Sequence, residues 1–152
     1  MKNHLLLLIL FSFCLITCNK KEDNPTIKDT TSLVIKAGFM CGWGSGQDSL
    51  IISSKMIEYF YSVPANSQIP DVNKARATTP AEWNNILNSI NFNNFLNLNY
   101  NSCNICVDGC DEWISIKNDS KSHQIRFGLG FKIDSIKPLQ DILAQLRTEF
   151  RN

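Results

Sequence analysis

Six cysteines in 152 residues are the side chains of this sequence best suited to chemistry. Four of them, Cys41, Cys103, Cys106 and Cys110, lie well inside the chain. Thiols can exchange disulfides, hold zinc or form structural bridges, and spacing discriminates among these. Cys103-Asn104-Ile105-Cys106 has the Cys-x-x-Cys form of a redox pair, whose first thiol is activated when it begins a helix. The sequence predicts no strand before it and no helix after it, so redox catalysis is not expected. Cys-x2-Cys-x3-Cys plus one distant Cys matches no common zinc spacing. Structural disulfides are therefore expected, since an even count is the usual mark of an exported domain. Three pairings are possible, and each of them links Cys41 to the cluster more than 60 residues away.

Other routes to catalysis find few residues. General acid/base or nucleophilic chemistry needs a poised partner, usually His, and beyond the amino-terminal leader the chain offers only His123, within a predicted strand. Asp48, Asp108 and Asp111, with the cysteines, are the carboxylates from which an alternative enzyme or metal site could be assembled. Asp108, Asp111 and Glu112 lack the alternating carboxylates of a calcium loop and read as turn formers beside Gly109. Gly42-Trp43-Gly44-Ser45-Gly46 does not place Ser at the centre of a nucleophile elbow, and it opens no helix that would cradle phosphate. No catalytic residue, metal or cofactor is expected. Instead, glycines let a loop protrude while aromatics bury large area per residue, which makes Phe39, Met40 and Trp43 the contact candidates. The alternative is that Phe39 and Trp43 fold into the core.

The amino terminus is more specific. After Lys2, Leu5 to Ile16 is an apolar run of 12 residues, too short to span a bilayer and suited to a signal-peptide core. Leu15-Ile16-Thr17-Cys18 resembles a bacterial lipobox, with Thr17 where Gly, Ala or Ser is usual. The resemblance implies that Cys18 becomes a lipidated first residue; ordinary cleavage of a secreted protein is the alternative. Two or three acyl chains, at about 0.8 kcal/mol per buried methylene, hold durably where one does not. Asn19-Lys20-Lys21-Glu22-Asp23 resembles the export signal that carries Bacteroidetes-type lipoproteins to the outer face of the outer membrane. Read without that resemblance it is a solvated charged tether. The expected division is a signal peptide over 1–17, lipidated Cys and flexible tether over 18–31, and one domain over 32–152. Removing 1–17 leaves 14 cationic and 14 anionic side chains, so no net field recruits nucleic acid.

The elements that must position these residues follow from period and caps. Ser32 to Phe39 is a β-branched strand, and Ser49 to Ser53 with Met56 to Ser62 form a hairpin. Residues 63–78, with Pro64, Pro70 and no sustained period, read as a long loop. Thr79-Pro80-Ala81-Glu82 is a capping box, followed by Trp83, Ile86, Leu87 and Ile90 on one helical stripe. Phe92, Phe95, Leu96 and Leu98 anchor the helix end. Glu112 to Lys117 and His123 to Phe127 alternate as a second hairpin. The last helix takes Asp134 or Ser135 as cap, buries Leu139, Ile142, Leu143, Leu146 and Phe150, and carries Arg147 and Arg151 near its negative end. The expected fold class is α+β: an antiparallel sheet of about five strands with two helices on one face.

Phe39-Met40-Cys41-Gly42 leading into Asp48 to Ile52, the Thr79 to Ile90 helix, Cys106-Val107-Asp108-Gly109 with Glu112-Trp113-Ile114, and the Ile136 to Leu146 helix resemble a family of uncharacterised bacterial secreted and lipoprotein domains. The family brings no activity with it. The expected role is a lipid-anchored, disulfide-stapled envelope module that binds a protein or a glycan, for instance by stacking Trp43 on a sugar.

Overall fold

The computed structural model describes residues 32–119 and 121–152. The leader, Cys18 and the tether lie outside the described residues.

Alternation decides which way the first strand faces. In β1, Val34–Cys41, Ile35 and Ala37 are buried and Lys36 is exposed. Strand β2, Gln47–Ile52, buries Asp48, Leu50 and Ile52, and the Ser53 to Met56 turn returns it antiparallel into β3, Met56–Ser62. A fourth strand, β4, Val72–Ala77, pairs antiparallel with β3. It occupies what the sequence predicts to be loop, so the sheet has six strands rather than five. Later in the chain, β5, Cys110–Lys117, pairs with the free edge of β1, and β6, Ser122–Gly128, pairs with β5. The order is β4-β3-β2-β1-β5-β6, antiparallel throughout.

Helix α1, Pro80–Asn88, starts where the capping box places it: Thr79 Oγ1 accepts from the Glu82 N–H at 3.2 Å, and Glu82 accepts from the Thr79 N–H at 3.0 Å. The aromatic anchor is a helix of its own, α2, Phe92–Leu96, capped by Asn91. Helix α3, Lys137–Arg151, is preceded by a 3-10 turn, Asp134–Ile136, and Ile136 precedes its first turn without a side-chain cap. The expected Asp134 or Ser135 cap gives way to this extra turn. Gln140 does part of that work: its Oε1 accepts from the Ile133 N–H and its Nε2 donates to the Phe131 carbonyl.

One sheet face and the three helices share a single core that includes Ile35, Leu50, Tyr59, Phe95, Ile114, Ile125, Leu139 and Leu143. At about 25 cal/mol per Å², burial of these side chains is the main favourable contribution to folding. His123 is part of this framework, donating from Nε2 to the Leu98 carbonyl at 2.8 Å and lying edge-on to Phe95. Among the described residues, no helix is long and apolar enough to cross a membrane.

Candidate functional site

The loops at the end of the sheet where β1 finishes are gathered by a disulfide. Cys41 and Cys110 face each other in the β1–β5 register and are bridged, while Cys103 is bridged to Cys106. Cys41 thus reaches the cluster as the sequence predicts. Both disulfides consume sulfurs that zinc or thiolate chemistry would need. Among the described residues, no cluster of three or more His, Cys, Asp or Glu is placed to hold a metal ion.

The Cys41–Cys110 bridge joins two turns. One is the 3-10 turn Gly42–Gly44, the other the 3-10 turn Asn104–Val107, which follows Cys103 where no helix is predicted. The Gly42 N–H donates to the Gly109 carbonyl at 2.9 Å, and the Ala65 N–H donates to the Gly44 carbonyl at 3.0 Å. On this brace stands Trp43, 83% exposed, with a backbone φ of 56°. A bulky residue in the left-handed region is a conformational outlier. Among the described residues only Trp43 and Asp108, at φ 63°, are non-glycines with positive φ, and the Trp43 indole Nε1–H donates to Asp108 Oδ1. One side-chain hydrogen bond thus links the two outliers. Val107, Leu129 and Phe131 stand exposed around the same end.

The three predicted contact residues do not share one surface. Trp43 projects from the tip. Met40, 43% exposed, points to the face of the sheet without helices, where it lines a cavity of about 220 Å³ with Ile105, Asp111, Trp113, Gln124 and Arg126. That face is flattened at Gly38, where a Cβ would overlap the Asp48 carbonyl oxygen and come within 2.9 Å of the Trp113 indole. Asp111 is spent locally, accepting from Ser102 Oγ at 2.6 Å and from the Ile105 N–H at 3.3 Å. Phe39 is in phase with Ile35 and Ala37, so it lies on the helix-bearing face.

There Phe39 belongs to a charged cluster the sequence reading missed. The Arg151 guanidinium sits over the Phe39 and Tyr61 rings, 5.3 Å from each centroid, and donates to the Tyr59 hydroxyl at 3.0 Å. Asp48, its side chain sealed from water, accepts from the Phe39 N–H at 3.0 Å and pairs with Arg147 and Arg151 at 3.4 Å. Arg147 also donates to Glu112 at 2.8 Å. Burial pushes the Asp48 carboxyl above its ordinary value, against the opposing pull of Arg147 and the Phe39 N–H. The available signal was a charged residue in the inward phase of each strand, Asp48 before Leu50 and Ile52, and Glu112 before Ile114 and Ile116.

No protein-family model matches the chain, and a search of curated proteins finds no match.

Proposed function

We propose that the chain is a cell-envelope lipoprotein, anchored through Cys18 and facing outward from the outer membrane, whose domain is a non-enzymatic binding module presenting Trp43 to a partner protein or a glycan. The observation that carries this reading is the pair of hydrogen-bonded left-handed residues, Trp43 and Asp108, which fixes an indole in solvent. Strained backbone persists only where its surroundings over-determine it, and it concentrates at sites of function. Direction adds support. The described chain enters β1 at Val34 and reaches Cys41 seven residues later, about 24 Å along the strand, so the tip lies at the end of β1 remote from where the described chain enters it.

A photo-reactive amino acid at position 43, compared with one at exposed position 55 in the opposite turn, tests the reading in cells of the native host. A discrete covalent adduct from 43 and none from 55 is expected. Equal adducts, or none from 43, would contradict it. Cys18→Ser should release the protein from membranes or block its maturation, and unchanged membrane retention with normal processing would remove the anchor.

A further inference from the structure

The two disulfides differ in the properties that govern reduction. Cys41–Cys110 joins residues 69 apart and is half-buried between paired strands. Cys103–Cys106 joins residues 3 apart, and both cysteines are exposed. A long closed loop constrains the unfolded chain far more than a short one, so the fold favours keeping the first bridge oxidised and has little stake in the second. Exposed bridges are also the ones a thiolate can reach, and they tend to be the labile ones.

The labile bridge sits under the tip. It closes a ring around Asn104 and Ile105, and the Cys106 N–H donates to the Cys103 carbonyl at 3.1 Å. The same turn ends at Asp108, whose N–H donates to the Asn104 carbonyl, as does that of Gly109 at 2.7 Å. Asp108 then holds the Trp43 indole, and Gly109 holds the Gly42 N–H. The ring thus encloses the first residues of the turn that sets Asp108 in its left-handed conformation.

We propose that Cys103–Cys106 is a thiol–disulfide exchange site that controls the Trp43 tip, while Cys41–Cys110 remains oxidised as the staple. The exchange rests on the bridge alone; its control of binding rests on the tip reading above. The substrate class is a thiol donor, either a small thiol or the cysteine pair of another protein. The donor thiolate attacks one sulfur of the bridge, the Cys103–Cys106 bond breaks, and a mixed disulfide forms as the other cysteine leaves as thiolate and takes a proton. A second donor thiolate attacks the mixed disulfide, releases the remaining cysteine as a thiol and closes the donor's own disulfide. Two electrons and two protons have moved into the protein.

The test is a titration of the mature full-length protein with glutathione and, separately, with a dithiol, followed by alkylation and peptide mapping. Cys103 and Cys106 should become modified together at a thiol concentration at least about tenfold below that needed for Cys41 and Cys110. In a Trp83→Phe, Trp113→Phe background, Trp43 emission should change at that same lower midpoint, and Cys103→Ser with Cys106→Ser should reproduce the change without reductant. Response to the dithiol but not to glutathione would assign the donor to a cysteine pair, and equal response would assign it to thiols generally. Opening of Cys41–Cys110 first or at the same midpoint would overturn the proposal, as would unchanged Trp43 emission after selective reduction. Selective reduction with the emission change, but with no adduct from position 43, supports the exchange site and overturns the tip reading alone.

Discussion

At the end of the sheet where the chain enters β1, the cross-strand row Ile57, Ile52, Ile35 and Ile116 is sealed from water. Its connections are tight: the Ser53 to Met56 turn is closed by Ser53 Oγ, and Thr78 Oγ1 donates to the Ser53 carbonyl at 2.9 Å. Four residues further along β1 the equivalent row reads Tyr61, Asp48, Phe39 and Glu112, roofed by Arg147 and Arg151, and beyond it stand exposed Trp43 and Val107. The first end combines a fully buried apolar row with hydrogen-bonded turns. The second replaces part of that burial with charge pairs, which seldom outdo a well-packed apolar core, and needs a covalent staple to hold its loops. The difference shows where the molecule gives up packing to display a side chain.

The largest effect should come from removing the staple. Cys41→Ser with Cys110→Ser is expected to cost about 4 kcal/mol by the entropy of the long loop, and hydrogen exchange should rise at residues 42–46 and 104–109 while the Ser53 to Met56 end keeps its protection. Equal loss at both ends would show that the two ends do not differ in what holds them. Next comes the charged row. Asp48→Ala leaves Arg147, only 13% exposed, with Glu112 as its partner and should cost about 3 kcal/mol, whereas Asp48→Asn keeps an acceptor for the Phe39 N–H and should cost less. Chemical denaturation measures both.

A smaller effect separates the ends by pH. On the edge strand, Arg76 bonds Glu82 at 2.7 Å and Glu149 at 2.6 Å, and with the Thr79 N–H it holds the Glu82 carboxyl down from 4.5 to about 2. A lowered carboxylate contributes stability that is present above its unfolded value and lost as pH falls through the folded one. Stability from Glu82 should therefore fade between about pH 4.5 and 2, and Glu82→Gln should flatten that limb. Asp48 has the opposite sign: its raised value makes its contribution fullest below the unfolded value and lost as pH rises through the folded one. Asp48→Asn should thus leave the acid limb in place, and its disappearance in that variant would reverse the assignment.

The framework was legible in the sequence more than the contrast between its ends. The capping box, the Ser49 to Ser62 hairpin and the linkage of Cys41 to the distant cluster rest on local chemistry or on counting. The β4 strand was not legible because Asn73, Lys74, Ala75 and Ala77 are exposed, leaving no alternation to read. Its place is fixed by backbone pairing to β3 and by the Arg76 clamp. The charged row was hidden because Asp48 and Arg151 are 103 residues apart, although inward phase marked Asp48 and Phe39 alike. The exposure of Trp43 depends on Asp108 and a left-handed backbone, which no periodicity encodes.

Display of Trp43 at the tip underlies the proposed binding role, and the emission of Trp43 in a protein carrying Trp83→Phe and Trp113→Phe measures it. Red-shifted emission, close to that of an indole in water and fully open to a soluble quencher, is the expected result. Blue-shifted emission protected from the quencher would place Trp43 in the core and rule out its role as a contact residue.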